Sequence, residues 1–139
     1  MSSQDNNVDV GFKWTKQFQV TDKMVRQFAE MSGDFNPIHV DEEFAAKTRF
    51  KRRIAHGMIV GALFSRCLVE ALGHGGVYLG QNLKFVSPVF IDDIIEISIE
   101  VTGLRKEKGI ATVETLARKI STGEFCVKGE AVIMLTPPV

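Results

Sequence analysis

The residues whose types and spacing indicate chemistry are Asp34 and His39, a carboxylate and an imidazole five positions apart. Proline disfavours the helical conformation in the residue before it, so Pro37 should break at Asn36 any helix that reaches Asp34. Asparagine is a good N-cap and proline is favoured at the first helical position, so a new short helix can begin at Pro37. The spacing predicts that an acid and a base face one small space, where they could hold a water molecule and move protons.

Gly57 is the second candidate, because it opens the most apolar predicted helix, which runs to Leu72. The first N–H groups of a helix have no acceptor within it and lie at the positive end of its dipole. An oxygen that develops negative charge would be stabilised there, by roughly 3–4 kcal/mol per donor in known oxyanion holes. Glycine also lets a substrate approach the backbone closely. Ser65 follows helical spacing from Gly57 and can face the same groove.

These residues need a fold to position them, and the hydrophobic pattern predicts an α+β domain. Phe12–Val20 alternates like an edge strand, and a helix follows from its cap Thr21 to a stop at Gly33. Another short helix is predicted from Pro37 to about Lys47. The Gly57–Leu72 helix is apolar nearly all round, which predicts that it is buried on most sides. Four strands are then predicted, at Val77–Phe85, Ile91–Leu104, Ile110–Ile120 and Glu124–Leu135. Short turns join them, so we expect one antiparallel sheet curled around the long helix.

Composition limits the functions open to the chain. Its 139 residues predict one domain at 12–139, after a polar leader at 1–11 that we expect to be disordered. Seventeen basic and seventeen acidic residues give zero net charge, so no global attraction to nucleic acid or to an anionic membrane is expected. The chain lacks an apolar run of about 18 residues that could span a bilayer. Cys67 and Cys126 match no disulfide or zinc spacing, which indicates reduced thiols in a cytoplasm.

The other histidines have less specific surroundings. His56 precedes the long helix, where it could act as a base or could cap the helix or fix the loop. His74 lies among glycines in a helix-ending turn and is predicted to be structural. That turn lacks the Lys-Ser/Thr of a phosphate-binding loop, which argues against a nucleotide site. No pair of ligands has a metal-like spacing on one helix, so no metal site is predicted.

Three stretches, in this order, resemble the MaoC-like (R)-specific enoyl-CoA hydratases: Gly33-Asp34-Phe35-Asn36-Pro37-Ile38-His39-Val40-Asp41, Ala55-His56-Gly57-Met58 and Tyr78-Leu79-Gly80-Gln81-Asn82-Leu83-Lys84-Phe85. The similarity extends from about Phe18 to Leu135. The resemblance implies a hot-dog fold, in which a sheet wraps a central helix, and a homodimer with joined sheets. It also implies hydration of trans-2-enoyl-CoA to (R)-3-hydroxyacyl-CoA, for polyester synthesis or fatty-acid metabolism, without a cofactor besides the coenzyme A of the substrate.

The resemblance assigns roles to individual residues. It implies that Asp34 and His39 are the catalytic pair; the expectation that the N–H of Gly57 polarises the thioester carbonyl rests on its place at the start of the long helix. It matches Asn36 to the motif asparagine, which could be an N-cap or a substrate contact. Ser65 matches the serine that supports the catalytic aspartate. Two positions match the acyl pocket, Leu68 and Val132.

A basic cluster precedes the long helix, at Arg49, Lys51, Arg52 and Arg53. Such a cluster is usually a solvated loop, but here it could contact the phosphates of coenzyme A. The resting protonation of the catalytic pair stays open at this level. The positive end of a helix dipole should favour neutral His39, whereas anionic Asp34 should favour its charged form.

Three alternatives use the same fold. One is a dehydratase that acts on (3R)-hydroxyacyl thioesters of acyl carrier protein. Another is a thioesterase, whose carboxylate usually lies on the central helix, where this chain offers only Glu70. The third is a binding module without catalysis, which the presence of both Asp34 and His39 argues against.

Overall fold

A computed structural model describes residues 8–135. Its elements, in chain order, are β1 (Lys13–Gln19), α1 (Asp22–Ser32), α2 (Pro37–Val40), α3 (Glu42–Ala46), α4 (Gly57–Leu72), β2 (Val77–Phe85), β3 (Ile94–Arg105), β4 (Ile110–Lys119) and β5 (Phe125–Met134). The long helix and the second strand have the predicted bounds. None of these helices is long and apolar enough to cross a membrane.

The five strands form one antiparallel sheet in the order β1-β3-β4-β5-β2. The antiparallel arrangement is confirmed, and β1 lies at an edge as expected. β2, however, pairs with β5 and not with β3, which follows it in the chain. The connection after β2 instead pairs with the loop before α4, where the Ala55 N–H donates to the Val89 carbonyl at 2.7 Å and Ile54 bridges Phe90. This pairing ties the start of α4 to the sheet.

The core lies between the sheet and α4. Alternate residues of β3 are almost fully buried, namely Ile95, Ile97, Ile99 and Val101. On α4 the buried residues are Ile59, Val60, Leu63, Phe64, Cys67, Leu68, Ala71 and Leu72. The sheet wraps this helix, which confirms the predicted α+β hot-dog architecture.

One stripe of α4 stays uncovered, while the other sides of the helix are buried or half-buried as expected. Met58 is 54% and Val69 40% exposed, and Ala62 between them is exposed as well. These positions lie on one face of the helix, where Ser65 and Arg66 interrupt the apolar side chains between Ala62 and Val69. Residues 8–135 therefore leave one face of the central helix open.

The predicted helix from Pro37 to Lys47 is two helices. Asp41 has an extended backbone (φ −120°, ψ 108°) that ends α2, and its carboxylate accepts the Phe44 N–H at 3.1 Å to cap α3. Aspartate competes with helix continuation through such local bonds. The acidic side chains that follow lie in the first turn of α3, where the helix dipole favours them.

Part of the predicted leader contacts the domain. The N–H of Gly11 donates to the Val101 carbonyl at 2.8 Å, and Val8 packs against the core. Residues 8–11 thus extend the β1 edge of the domain. The rest of the predicted leader, residues 1–7, lies outside the described residues.

Candidate active site

The bend at the centre of the site forms as the local sequence predicts. Gly33 ends α1 with φ 79°, and its N–H donates to the Ala29 carbonyl at 2.8 Å. Asn36 caps α2, since its Oδ1 accepts the Ile38 N–H at 3.3 Å. The Asp34 carboxylate accepts the Asn36 N–H at 3.2 Å, which fixes the turn between the two helices. Of the two roles expected for Asn36, the cap is therefore the one made within the chain.

His39 is held in one tautomer by the loop before α4. Its Nδ1–H donates to the Ile54 carbonyl at 2.7 Å. A carbonyl only accepts, so Nδ1 carries the hydrogen and Nε2 of the neutral ring keeps a free lone pair. The Ile54 N–H donates in turn to the Ile38 carbonyl at 3.2 Å. The ring therefore presents an accepting nitrogen in a fixed direction.

Burial is the main reason why the pKa of His39 lies below its ordinary value of 6.5. Coulombic interactions with His56 and Arg53 lower this pKa further, while the Ile54 hydrogen bond and the Asp34 carboxylate oppose the shift. The dipole invoked from the sequence is a short one, because α2 has only four residues and His39 is the third. The lowered pKa favours the neutral imidazole of His39.

His56 fixes the loop that carries Asp34. Its Nε2–H donates to the Asp34 main-chain carbonyl at 2.9 Å, and its ring stacks on His39 at 3.9 Å between centroids. The ring of Phe28 covers it from α1, with 4.8 Å between centroids. His56 is 2% exposed, makes no capping bond to α4, and leaves its Nδ1 without a hydrogen-bond partner among the described residues. Of the alternatives considered for His56, loop fixing is the one that the contacts support.

Asp34, His39 and the start of α4 line one cavity of about 380 Å³. One carboxylate oxygen of Asp34 and one ring nitrogen of each of His39 and His56 lie within 4.8 Å of one another. A water molecule with two hydrogen bonds of about 2.8 Å can join atoms up to about 5.6 Å apart. The arrangement therefore allows one water molecule to contact both Asp34 and His39 beside the Gly57 backbone.

Gly57 is the first residue of α4 and lies against Phe85 from the end of β2. A Cβ atom at Gly57 would lie 2.5 Å from Cε1 of the Phe85 ring, which is closer than carbon atoms approach. Any other residue would force the ring or the helix to move. Phe85 also lines the cavity. The sequence alone gave Phe85 no role. Phe85 is nevertheless the last residue of the third family-like stretch and shares a face of β2 with half-buried Leu83.

Two further predicted site residues, Ser65 and Leu68, lie two to three turns beyond Gly57 on α4. Ser65 and Leu68 line a second cavity of about 90 Å³, together with Tyr78 and Ile133. Among the described residues, Ser65 makes no hydrogen bond to Asp34. Val132 does not line this cavity, because it alternates in β5 with buried Ile133 and so lies on the other face of the sheet. The structure thus brings Leu68, but not Val132, to the inner end of α4.

An open apolar groove of about 630 Å³ lies between these two cavities. Met58 lines both the groove and the first cavity, at Asp34 and His39. Tyr78 lines both the groove and the second cavity. Gly61 and Ala62 form part of its floor. The three spaces therefore follow one another along the uncovered stripe of α4.

The basic cluster is divided. Arg49 lines the cavity at Asp34 and His39, and Arg52 places its guanidinium 3.8 Å from the centroid of the Phe90 ring. Lys51 is exposed. Arg53, in contrast, is 5% exposed and is paired with the carboxylates of Asp22 and Glu42. Its burial and the use of three of its five N–H donors leave Arg53 poorly placed for the coenzyme A phosphates that the cluster was expected to contact.

The geometry of the histidines does not suit a metal ion. A metal–imidazole bond lies in the ring plane, but the rings of His39 and His56 are stacked with 29° between their planes. Their free nitrogens therefore point side by side and do not converge on one ion. We assign no metal ligand in this part of the chain, and the sequence-based expectation of metal-free chemistry stays a prediction.

Glu70 does not offer the free carboxylate that a thioesterase needs on its central helix. Its Oε1 accepts from Lys16 at 2.9 Å and its Oε2 from Arg66 at 2.8 Å. Hydrogen bonds from Lys16 and Arg66 lower the pKa of Glu70, so it stays ionised and paired. The carboxylate that faces the cavity is Asp34.

Comparison with known proteins places this site in a family. The chain matches the family model of the MaoC like domain over residues 4–124. It is 45% identical over 138 residues to an "(R)-specific enoyl-CoA hydratase" of Aeromonas caviae, covering 97% of this chain and 99% of that protein. It is 41% identical over 129 residues to a "3-hydroxybutyryl-CoA dehydratase" of Methylorubrum extorquens, covering 91% and 80%.

The fold agrees with this likeness. A solved structure of the (R)-hydratase from A. caviae, described as involved in PHA biosynthesis, superposes with a TM-score of 0.89 at 44% identity, over 93% of this chain and 98% of that one. The chain belongs to the MaoC-like family of (R)-specific enoyl-CoA hydratases, which are hydro-lyases with the hot-dog fold.

Proposed function

We propose that the protein is an (R)-specific enoyl-CoA hydratase, which adds water to trans-2-enoyl-CoA to give (R)-3-hydroxyacyl-CoA. The observation that carries this proposal is the approach of Asp34 and a neutral His39 to within 4.8 Å, beside the N-terminus of α4. Water addition needs a base for the water, a proton for C2 and a donor for the thioester oxygen. Asp34 and His39 together can meet the first two needs, and the Gly57 N–H can meet the third.

In this mechanism one water molecule hydrogen-bonds to the Asp34 carboxylate and to Nε2 of His39. As the water oxygen bonds to C3, one water proton passes to the pair, and the C2–C3 π electrons move toward the thioester carbonyl. The N–H of Gly57 stabilises the negative charge on that oxygen. The pair then returns a proton to C2, so one water molecule is consumed and the enzyme regains its starting protonation. Dehydration follows the same steps in reverse.

The acyl chain, in this proposal, extends from the catalytic cavity along the uncovered stripe of α4. The groove at Gly61 and Ala62 has small side chains on its floor, and the second cavity at Leu68 and Ile133 is apolar. These contacts suit methylene groups, because burying them removes apolar surface from water. Ile133 takes the place that the sequence reasoning gave to Val132.

The coenzyme A phosphates are proposed to contact the exposed part of the basic loop, at Arg49, Lys51 and Arg52. The double variant Arg49→Glu/Lys51→Glu is expected to raise KM for crotonyl-CoA about tenfold, because two exposed ion pairs contribute up to about 1 kcal/mol each and about 1.4 kcal/mol corresponds to a tenfold change. Steady-state kinetics measure this, with Arg105→Glu at the far end of β3 as the matched control. An unchanged KM would refute the assignment.

A homodimer is proposed because the uncovered stripe of α4 lies beside the free edge of the sheet. Leu79 on the edge strand β2 is 48% exposed, and Met58 and Val69 are open on the helix. Exposed apolar patches of this kind are usually covered by a partner. Light scattering after gel filtration is expected to give about twice the 15.4 kDa chain mass. Leu79→Arg should shift the protein to monomer, whereas Thr102→Arg on β3 should not; a wild-type monomer contradicts the proposal.

The cytoplasm is the proposed location. Cys67 and Cys126 are both free and buried, and burial raises the pKa of Cys67 to about 11. Thiols in this state are suited to a reducing compartment and not to disulfide formation.

The experiment that tests the function follows the absorbance of the conjugated enoyl thioester with crotonyl-CoA and longer enoyl-CoA substrates, and then resolves the product on a chiral column. The expected product is the (R)-3-hydroxyacyl thioester. Hydration of acyl-carrier-protein thioesters at a higher kcat/KM than the coenzyme A esters would favour the carrier-protein dehydratase. No hydration of either substrate would refute the proposal.

A further inference from the structure

The loop between α3 and α4 directs the guanidinium of Arg53 toward the interior of the protein. The Thr48 hydroxyl donates to the Ala45 carbonyl at 2.7 Å and accepts the Phe50 N–H at 3.2 Å. Lys51 then takes a left-handed backbone (φ 68°), which a residue with a side chain rarely adopts. After this turn Arg53 points inward and is 5% exposed, while Lys51 before it is exposed. The loop geometry therefore serves to bury Arg53.

Arg53 joins the three helices that surround the catalytic bend. Its Nη2 binds the carboxylate of Asp22 at the start of α1, and its Nη1 binds that of Glu42 at the start of α3, at 3.2 Å. Its Nε–H donates to the main-chain carbonyl of His39 in α2 at 2.6 Å. The planar guanidinium can make these three bonds at once. A lysine cannot reproduce them, because all its donors are on one nitrogen.

The neighbouring residue holds the imidazole of the same histidine. The carbonyl of Ile54 accepts from His39 Nδ1–H at 2.7 Å, and the N–H of Ile54 donates to the Ile38 carbonyl at 3.2 Å. Consecutive residues of one loop thus bind both the backbone and the ring of His39. A shift of the Arg53 backbone would move both contacts together.

We propose that Arg53 is a positioning residue for His39: it fixes the histidine backbone so that Nε2 stays directed at the water between His39 and Asp34, and its fixed positive charge disfavours the imidazolium form. The kinetic part of this proposal rests on the proposed hydratase function. Arg53 does not touch the substrate. It acts through the position and charge state of His39.

The charges around His39 are consistent with this role. Asp34 and His56 face the ring from the bend and from the start of α4, and Arg53 lies behind its backbone with Asp22 and Glu42 as partners. Burial would lower the pKa of Arg53, but its hydrogen bonds to Asp22 and Glu42 outweigh burial and raise it, so the guanidinium stays charged. This charge lowers the pKa of His39 less than burial does. Geometry is thus the larger part of the expected effect.

The kinetic test compares two variants. Arg53→Met removes both the positive charge and the planar guanidinium, whereas Arg53→Lys keeps the charge. Arg53→Met is expected to lower kcat for crotonyl-CoA about 10- to 100-fold with little change in KM, since small misplacements of a catalytic group have effects of this size. The acid limb of its pH–rate profile should move to higher pH. Arg53→Lys should lower kcat less and keep the wild-type acid limb. Arg118→Met, which removes the contacts of Arg118 Nε and Nη2 with Oε1 of Glu96 on the sheet, is the matched control and should retain wild-type kcat.

An NMR titration of the His39 imidazole tests the same idea without substrate. The pKa of His39 should rise in Arg53→Met and stay near the wild-type value in Arg53→Lys. Asp22 and Glu42 are half or more exposed, so water can solvate them once Arg53 is gone. If Arg53→Met nevertheless fails to fold, Arg53→Lys decides: wild-type kcat would overturn the proposal.

A folded Arg53→Met with wild-type kcat and an unmoved His39 pKa would also overturn it. Failure of the hydratase proposal looks different. In that case the wild-type protein does not hydrate crotonyl-CoA, while the titration of His39 still shows whether Arg53 controls its protonation.

Discussion

Asp34→Asn and His39→Gln are each expected to lower kcat for hydration of crotonyl-CoA by about 10²–10⁴-fold, the usual size of general acid–base catalysis. Both side chains contact the same proposed water, and neither can take over the task of the other. Asparagine keeps the oxygen that accepts the Asn36 N–H at 3.2 Å but cannot take up a proton near neutral pH. Glutamine keeps an amide near the position of Nε2 but has no basic nitrogen, and it lacks the Nδ1–H that donates to the Ile54 carbonyl.

Because the two residues act on one water molecule, their effects should not add. The double variant is expected to be about as slow as the slower single variant, as is found when catalytic groups work as a unit. Additive losses would indicate two independent roles and would contradict the shared-water arrangement.

Matched controls separate loss of chemistry from loss of structure. Asp41→Asn changes the same group at the cap of α3, where asparagine is an equally good cap, and His74→Gln changes a histidine in the turn after α4. Both should keep near wild-type kcat. Circular dichroism and thermal melting should show that Asp34→Asn and His39→Gln remain folded. Retention of more than about a tenth of wild-type kcat in either folded variant would refute the assignment of the pair, given the size of such effects.

The bend between α1 and α2 could be predicted from sequence because its determinants are local. A glycine stop, an asparagine cap and a proline at the first helical position fix the backbone within a few residues. The protonation of His39 stayed open at the sequence level. Burial, which lowers its pKa most, and the Ile54 carbonyl, which opposes that shift from 15 positions along the chain, are not visible in the motif itself.

The surroundings of Arg53 were hidden from the sequence for a similar reason. Basic residues in a loop are usually solvated, and nothing adjacent to Arg53 shows that the fold brings the carboxylates of Asp22 and Glu42 beside it. The carboxylate of Asp22 lies 31 positions away in sequence. The left-handed turn at Lys51 that directs Arg53 inward has no glycine or asparagine to mark it.

The face of the sheet on which a side chain lies was the second feature that the sequence did not fully determine. The residues of β3 that face α4 follow directly from strict alternation. β5 is harder to orient, because the ladder between β4 and β5 shifts register near Ala117 and Arg118 and the one between β2 and β5 shifts near Tyr78 and Gly80. A slip of one residue moves a side chain to the opposite face. Val132 was named from the family resemblance alone, whereas the alternation of β5 at this point directs Ile133 to the inner face.

The role proposed for Gly57 can be tested by deleting its N–H, which proline does at a position where a helix tolerates it. Gly57 is the first residue of α4, and His56 before it has φ −60° and ψ 129°, the extended conformation that a residue before proline prefers. The Cβ of any substituent would strike Phe85. The comparison is therefore made in a Phe85→Ala background, where that ring is absent.

In this background Gly57→Ala keeps the N–H and adds a Cβ, whereas Gly57→Pro adds a Cβ and removes the N–H. We expect Gly57→Pro to have a kcat about 10²–10³-fold below that of Gly57→Ala, because one oxyanion donor contributes this much to rate. KM should change little, since the donor acts mainly on charge that develops in the transition state. Equal kcat values in the two folded variants would show that the Gly57 N–H does not stabilise the thioester oxygen, and that the dipole of α4 or another donor must do so.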